Sequence, residues 1–109
     1  MQQADARRHF RVHYPSALRP QLHLGLAALD VLDLSESGLR CAGSVEGLHV
    51  GAAVASLLRF RHGRGTRVEG DIVRLGAGEV ALQLRLGPSF QLMLGEQRAV
   101  MSTRRYSVR

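Results

Sequence analysis

The sequence contains no tryptophan and no lysine, and it has one cysteine, Cys41, in 109 residues. A single cysteine cannot form a disulfide within the chain, so we predict a reducing, cytoplasmic compartment and a small core residue at position 41. No apolar run approaches the roughly 18 residues that a membrane-spanning helix needs. No apolar segment of the kind found in signal peptides follows the basic N-terminus. We therefore expect a cytoplasmic protein without a membrane span.

All of the basic charge is carried by arginine, and it is concentrated at the two ends of the chain. Residues 1–20 hold four arginines and one acid, residues 21–97 hold seven arginines and eight acids, and residues 98–109 hold four arginines and no acid. The net charge of +6 therefore surrounds a nearly neutral body. This distribution favours a local anion site near the N-terminus over a broad nucleic-acid surface.

Residues that commonly carry catalysis show no recognisable arrangement. The five histidines are scattered, and no glycine-rich phosphate loop leads into a helix. His9 and His13 are four residues apart, but this spacing brings two ligands to one metal only on a helix, which the nearby Pro15 disfavours. We therefore predict a protein that is not an enzyme and that has no catalytic residues, no metal site and no cofactor.

Short apolar segments separated by glycine-rich turns dominate residues 17–86. The clearest alternation runs from Glu79 to Leu86 and predicts a strand. Further strands are predicted within 21–34, over 38–42, over 52–60 and over 66–75, the last with a bulge between Ile72 and Val73. Whether a turn or a bulge lies near residues 25–28 stays open. The pattern predicts one mainly β domain over residues 1–109, a small antiparallel barrel of five or six strands.

The periodicity changes after Pro88. Ser89 is a suitable N-cap, and apolar or long side chains recur at positions 90, 93, 94, 97 and 101, which predicts a helix over 89–104 packed on the barrel. Gly95 lies inside this helix and is interpreted as a point of close approach to the barrel. At the other end, residues 1–14 are predicted to form a flexible basic arm, with a short extended segment over 10–14.

Two short motifs suggest a function. Arg7, Arg8 and Arg11 place three guanidinium groups within five residues, and an arginine fork fits both phosphate oxygens and the O6/N7 edge of guanine. The second motif, from Asp33 to Gly38, reads Asp-Leu-Ser-Glu-Ser-Gly. Taken alone, this motif also fits an ordinary turn stabilised by its own side chains.

The two motifs together, Arg-x-x-x-Arg followed by Asp-x-Ser-x-x-Gly, resemble the PilZ family, which binds the bacterial second messenger cyclic di-GMP. The resemblance covers nearly the whole chain and implies a six-stranded antiparallel β-barrel with a C-terminal α-helix. It also implies that the ligand site contains Arg7, Arg8, Arg11, Asp33, Ser35 and Gly38.

The resemblance gives each motif a role. Arg7 and Arg11 would contact phosphate and the guanine edge, and Arg8 would add charge or stack on a base.

In the second motif, Asp33 would accept hydrogen bonds from guanine N1 and N2, and Ser35 would bond a phosphate oxygen. Gly38 would adopt a positive φ or permit close approach of the ligand.

The implied function is that of a receptor or adaptor, which binds cyclic di-GMP and relays the signal to an unknown protein partner. Motility, pili and exopolysaccharide synthesis are outputs of this family. The alternative is a small basic β-barrel that binds single-stranded nucleic acid. Phe60 and Phe90 are expected in the core, which leaves Tyr14 and Tyr106 for base stacking and disfavours this alternative. A third interpretation is a structural adaptor whose site binds nothing.

Overall fold

The computed structural model describes residues 10–107, with side chains described up to residue 103. The described elements are β1 (Val12–His13), a 3₁₀ turn (Ser16–Leu18), β2 (Gln21–Leu24), β3 (Ala27–Leu34), β4 (Gly38–Ala42), β5 (Ala53–Arg59), β6 (Gly65–Gly76), β7 (Glu79–Leu86) and α1 (Phe90–Ser107). No helix in this part of the chain is long and apolar enough to cross a membrane.

Six of the strands close into a barrel in the order β3-β2-β5-β6-β7-β4, with β4 returning to pair with β3. All neighbours are antiparallel. The short β1 adds to the end of β3, with Val12 opposite Leu34 and His13 opposite Asp33. The predicted mainly β, six-stranded antiparallel barrel with a C-terminal helix is thus confirmed.

Turns and irregularities adjust the strands to this closure. A turn at Gly25, where φ is 60°, separates β2 from β3 and settles the alternative that the sequence left open. The predicted bulge in β6 is present, because the register with β7 shifts between Ile72 and Arg74. A second shift occurs between Glu69 and Gly70, where a Cβ would overlap the backbone of Gln83. The glycine therefore allows the two strands to approach closely.

The core is built from the inward positions of the strands and from the buried side of α1, which contributes Met93. Its least exposed apolar side chains, at 1% or less, are Leu22, Val31, Leu34, Cys41, Leu58, Val68, Ile72, Val80 and Met93. The prediction that Cys41 is a core residue is confirmed. Burial raises the pKa of its thiol to about 12, with smaller contributions from the charges of Asp33 and Asp30.

Helix α1 begins as predicted, because the Ser89 Oγ accepts a hydrogen bond from the Leu92 N–H at 3.1 Å. Its packed face differs from the predicted one: Met93, Glu96 and Val100 are buried, whereas Met101 is 52% exposed. The helix is rotated so that Glu96 finds a hydrogen-bond donor in the barrel, a contact that apolar periodicity does not report. The interpretation of Gly95 was wrong, because a Cβ there would meet nothing within 4 Å.

The boundary of the predicted N-terminal arm also needs correction. Residues 1–9 lie outside the described residues, so the prediction for them stays untested. Val12 and Tyr14, however, are 3% and 7% exposed. Residues 12–14 are held on the barrel, because β1 pairs with β3 and Tyr14 packs under α1. These three residues are therefore not part of a flexible arm.

Candidate functional site

A surface cleft of about 640 Å³ opens beside the turn that joins β3 to β4. It lies on the outside of the barrel, where β4, β6 and β7 pass under the end of β3 and the residues preceding β1. Its charged and polar lining residues are Arg11, Asp33, Ser37, Arg40, Arg74 and Gln83. The structure therefore places residues from both sequence motifs at one cleft.

Asp33 lies at the centre of the charges in this cleft. It is 5% exposed and follows a register shift between Val31 and Asp33 near the end of β3. Its Oδ1 accepts a hydrogen bond from Arg11 Nη1 at 2.5 Å, and its Oδ2 accepts one from Arg40 Nε at 2.9 Å. The Arg11–Asp33 contact joins the two motifs across 22 residues of sequence, because β1 pairs with the end of β3.

Arg40 was missed by the sequence reasoning. It stands opposite Asp33 on β4, and its Nη1 also contacts Glu79 Oε1 and Oε2 at 3.1 and 3.2 Å. The hydrogen bond to Asp33 is the main cause that raises the pKa of Arg40. The signal in the sequence was the alternation within β4, where Arg40 lies between two buried residues and so must point outward.

Ser35 lies away from the cleft surface, at 1% exposure. Its hydroxyl donates to the Gly38 carbonyl at 3.3 Å and accepts from the Ser37 N–H at 3.2 Å, while its own N–H donates to the same carbonyl at 2.8 Å. These bonds are those of the ordinary turn that the sequence also allowed. Ser37, two residues on, lines the cleft.

Gly38 allows two groups to approach the turn. A Cβ at this position would lie 3.1 Å from Arg11 Nη2 and 3.1 Å from the Leu82 carbonyl oxygen. Gly38 is not among the described glycines with positive φ. The positive φ, one of the two roles expected for Gly38, is therefore not observed, and the Arg11 side chain lies where a larger residue would stand. Close approach of the ligand stays a prediction.

Comparison with known proteins identifies the architecture. No protein-family model and no curated protein sequence matches the chain. An uncharacterized Legionella protein, Lpg0364, matches with a TM-score of 0.55 and 10% identity over 93% of this chain and 100% of the other. The Bacillus subtilis inhibitor of motility, MotI/DgrA, matches with a TM-score of 0.55 and 17% identity over 91% of this chain. The chain spans 50% of the length of that protein.

The chain has a PilZ-like fold. The structural likeness is too distant in sequence to show more than the architecture. In this PilZ-like barrel, Arg11 contacts Asp33 and lies close to Gly38, and Ser35 shapes the turn that joins β3 to β4. Arg7 and Arg8 lie outside the described residues.

The surface for base stacking is smaller than the sequence suggested. Tyr14 is 7% exposed, and its O–H donates to Glu96 Oε1 at 2.7 Å, so the prediction that it was available to stack on bases was wrong. Phe60 is buried as predicted, and Phe90 is half-buried with its ring edge-to-face against Phe10 at 5.9 Å. Among the described residues, no three His, Cys, Asp or Glu side chains are grouped to hold a metal.

Proposed function

We propose that this chain is a cyclic di-GMP receptor that passes the signal to a protein partner. The observation that carries the proposal is the direct contact between the two motifs, Arg11 on Asp33, at the wall of an open cleft. A carboxylate and a guanidinium side by side match the donor and acceptor edges of guanine, and the guanidinium also matches phosphate. The PilZ-like fold supports the same function.

Binding requires Asp33 and Arg11 to exchange partners. Arg11 leaves Asp33 Oδ1 for a phosphate or the guanine O6/N7 edge, and the freed carboxylate oxygen accepts from guanine N1 and N2. Arg40 stays on Oδ2 and keeps the carboxylate in place. The Arg11 side chain is 41% exposed but the Asp33 side chain only 7%, so the guanine donors must replace the hydrogen bond that the buried carboxylate loses.

The remaining motif residues have supporting or direct roles in this proposal. Arg7 and Arg8 bring further charge to the phosphates and bases. Gly38 leaves room for Arg11 and the ligand above the turn. Ser35 keeps the turn in shape, and its hydroxyl reaches a phosphate only by giving up its bonds within the turn.

The output is contact with a protein partner. Cyclic di-GMP tethers residues before β1 to the β3–β4 turn, and this changes the surface that the partner meets. One structural neighbour is named as an inhibitor of motility, which makes motility one output to test beside pili and exopolysaccharide.

Isothermal titration of the intact chain with cyclic di-GMP, its adenine analogue and a single-stranded oligonucleotide tests the function. We expect cyclic di-GMP to bind at least tenfold more tightly than the adenine analogue, because Asp33 faces no matching donors on adenine. Arg11→Ala should weaken binding at least tenfold, since one charge-assisted contact contributes about 1.5–3 kcal/mol. Asp33→Ala should reduce the difference in affinity between cyclic di-GMP and its adenine analogue.

Arg98→Ala is the matched control, because Arg98 is an exposed arginine on α1 that does not line the cleft. Its affinity for cyclic di-GMP should equal that of the unaltered chain. Equal binding of the two dinucleotides would overturn the proposal. Tight, salt-dependent binding of the oligonucleotide alone would also overturn it and would favour the nucleic-acid alternative.

A further inference from the structure

The bulge in β6 turns an arginine out of the barrel and into the cleft. Along β6, the even positions Val68, Gly70 and Ile72 are buried, and regular alternation would direct the next even position inward as well. The register with β7 instead passes from Ile72 opposite Leu82 to Arg74 opposite Ala81. As a result Arg74 is exposed and lines the same cleft as Arg11 and Asp33.

Among the residues that the structure describes, the ion pairs at the cleft leave Arg74 as the available cation. Arg11 is bonded to Asp33, and Arg40 is bonded to both Asp33 and Glu79. Arg74 forms no ion pair with any residue in the described part of the chain. Of the three described arginines that line the cleft, two are thus paired with the carboxylates of Asp33 and Glu79, and the third, Arg74, carries the unbalanced positive charge.

We infer that Arg74 anchors one phosphodiester of cyclic di-GMP and is the cation that the ligand meets before Arg11 leaves Asp33. The inference rests on the proposed function and adds Arg74 to the basic residues that contact the ligand. A phosphate that binds Arg74 breaks no existing ion pair, whereas one that binds Arg11 must first displace Asp33. Val73, 48% exposed beside Arg74, adds apolar surface against the ligand.

The inference predicts different kinetic effects for the two arginines. Opposite charges accelerate encounter, so removing the first cation that the ligand meets slows association. A contact formed after encounter instead acts mainly on dissociation. Arg74→Ala should therefore lower the association rate constant and reduce its salt dependence, whereas Arg11→Ala should mainly raise the dissociation rate constant.

The experiment is stopped-flow binding of cyclic di-GMP carrying a fluorophore on its ribose, with equilibrium titration of unlabelled cyclic di-GMP. Arg74→Ala should lower affinity at least tenfold, and Arg74→Lys should stay within about threefold of the unaltered chain, because an ammonium still serves phosphate as a point charge. Arg98→Ala is the control for loss of one exposed arginine. Thermal unfolding of each variant checks that the barrel is folded.

Each outcome decides the inference. If the unaltered chain binds cyclic di-GMP and Arg74→Ala binds it within twofold, the inference is wrong and the proposed function stands. If Arg74→Lys is as weak as Arg74→Ala, anchoring of the phosphodiester by charge alone is wrong, because an arginine fork is then required. If Arg74→Ala alters only the dissociation rate constant, the order of contacts is wrong. If the unaltered chain binds no cyclic di-GMP, both proposals fail.

Discussion

Replacing Tyr14 by phenylalanine tests how the C-terminal helix is held on the barrel. Tyr14 follows β1, and its O–H donates to Glu96 Oε1 on α1 at 2.7 Å, across 82 residues of sequence. The other oxygen of Glu96 lies 3.3 Å from His62 Nε2, in the loop between β5 and β6. The Glu96 side chain is 8% exposed. One buried carboxylate therefore joins the helix, the β5–β6 loop and the segment that follows Arg11.

The expected magnitude follows from this geometry. Tyr14→Phe keeps the packed ring but leaves a buried carboxylate oxygen without its donor, and a hydrogen bond to a charged group contributes about 1.5–3 kcal/mol. We expect the free energy of unfolding to fall by about 2 kcal/mol, which for a domain of this size lowers the melting temperature by about 8 °C.

Urea unfolding followed by circular dichroism measures the change. Thr103→Val is the control, because it also removes a hydroxyl hydrogen bond, 3.1 Å to the Ala99 carbonyl, but on the exposed side of the same helix. It should alter the unfolding free energy by less than about 0.5 kcal/mol. In a Glu96→Leu background, Tyr14→Phe should lose most of its effect. A loss below about 0.5 kcal/mol for Tyr14→Phe alone would refute the reasoning.

The same bond gives a pH dependence. Burial, followed by the hydrogen bond and the charge of Glu96, raises the pKa of Tyr14 above its ordinary value of 10. The unfolded phenol loses its proton as the pH passes 10, while the folded one keeps it, so this contribution to stability is complete below pH 10 and declines above it. Tyr14→Phe should therefore show a shallower fall of the urea midpoint between about pH 9.5 and 11. Cys41 is retained in both chains, so its own titration cancels in the comparison.

Two further predictions concern the core and the helix. Cys41 is fully buried with a pKa raised to about 12, so a thiol reagent at pH 8 should label it only after denaturant is added, and rapid labelling of the folded protein would contradict the core assignment. Gly87→Ala and Gly95→Ala form a matched pair: a Cβ at Gly87 would overlap the backbone oxygen of Glu36 and should destabilise the fold by more than about 2 kcal/mol. Gly95→Ala meets open space inside α1 and should stabilise it by up to about 1 kcal/mol, so a melting temperature that changes equally in both variants would contradict these environments.

The sequence by itself determined most of the strands, the start of the helix and, through the family resemblance, the fold. Alternation of apolar residues is a local property, and it located β4 and β7 and the bulge after Ile72 because each inward position must be apolar whatever the partner strand is. Ser89 likewise marked the start of α1, since a cap acts within one turn. The two motifs also supplied the family resemblance and the hypothesis of the ligand.

Only the tertiary structure decided which side chains meet. Asp33 binds Arg11, which is 22 positions away, and Arg40, which is 7 positions away. The packed face of α1 depends on the bond between Glu96 and Tyr14, which are 82 positions apart. Arg74 reaches the cleft because the bulge directs its side chain to the outer face of the sheet. No local sequence pattern indicates which residues of other strands lie on that face. Closure of the barrel fixes these neighbours, because it sets the register of all six strands together.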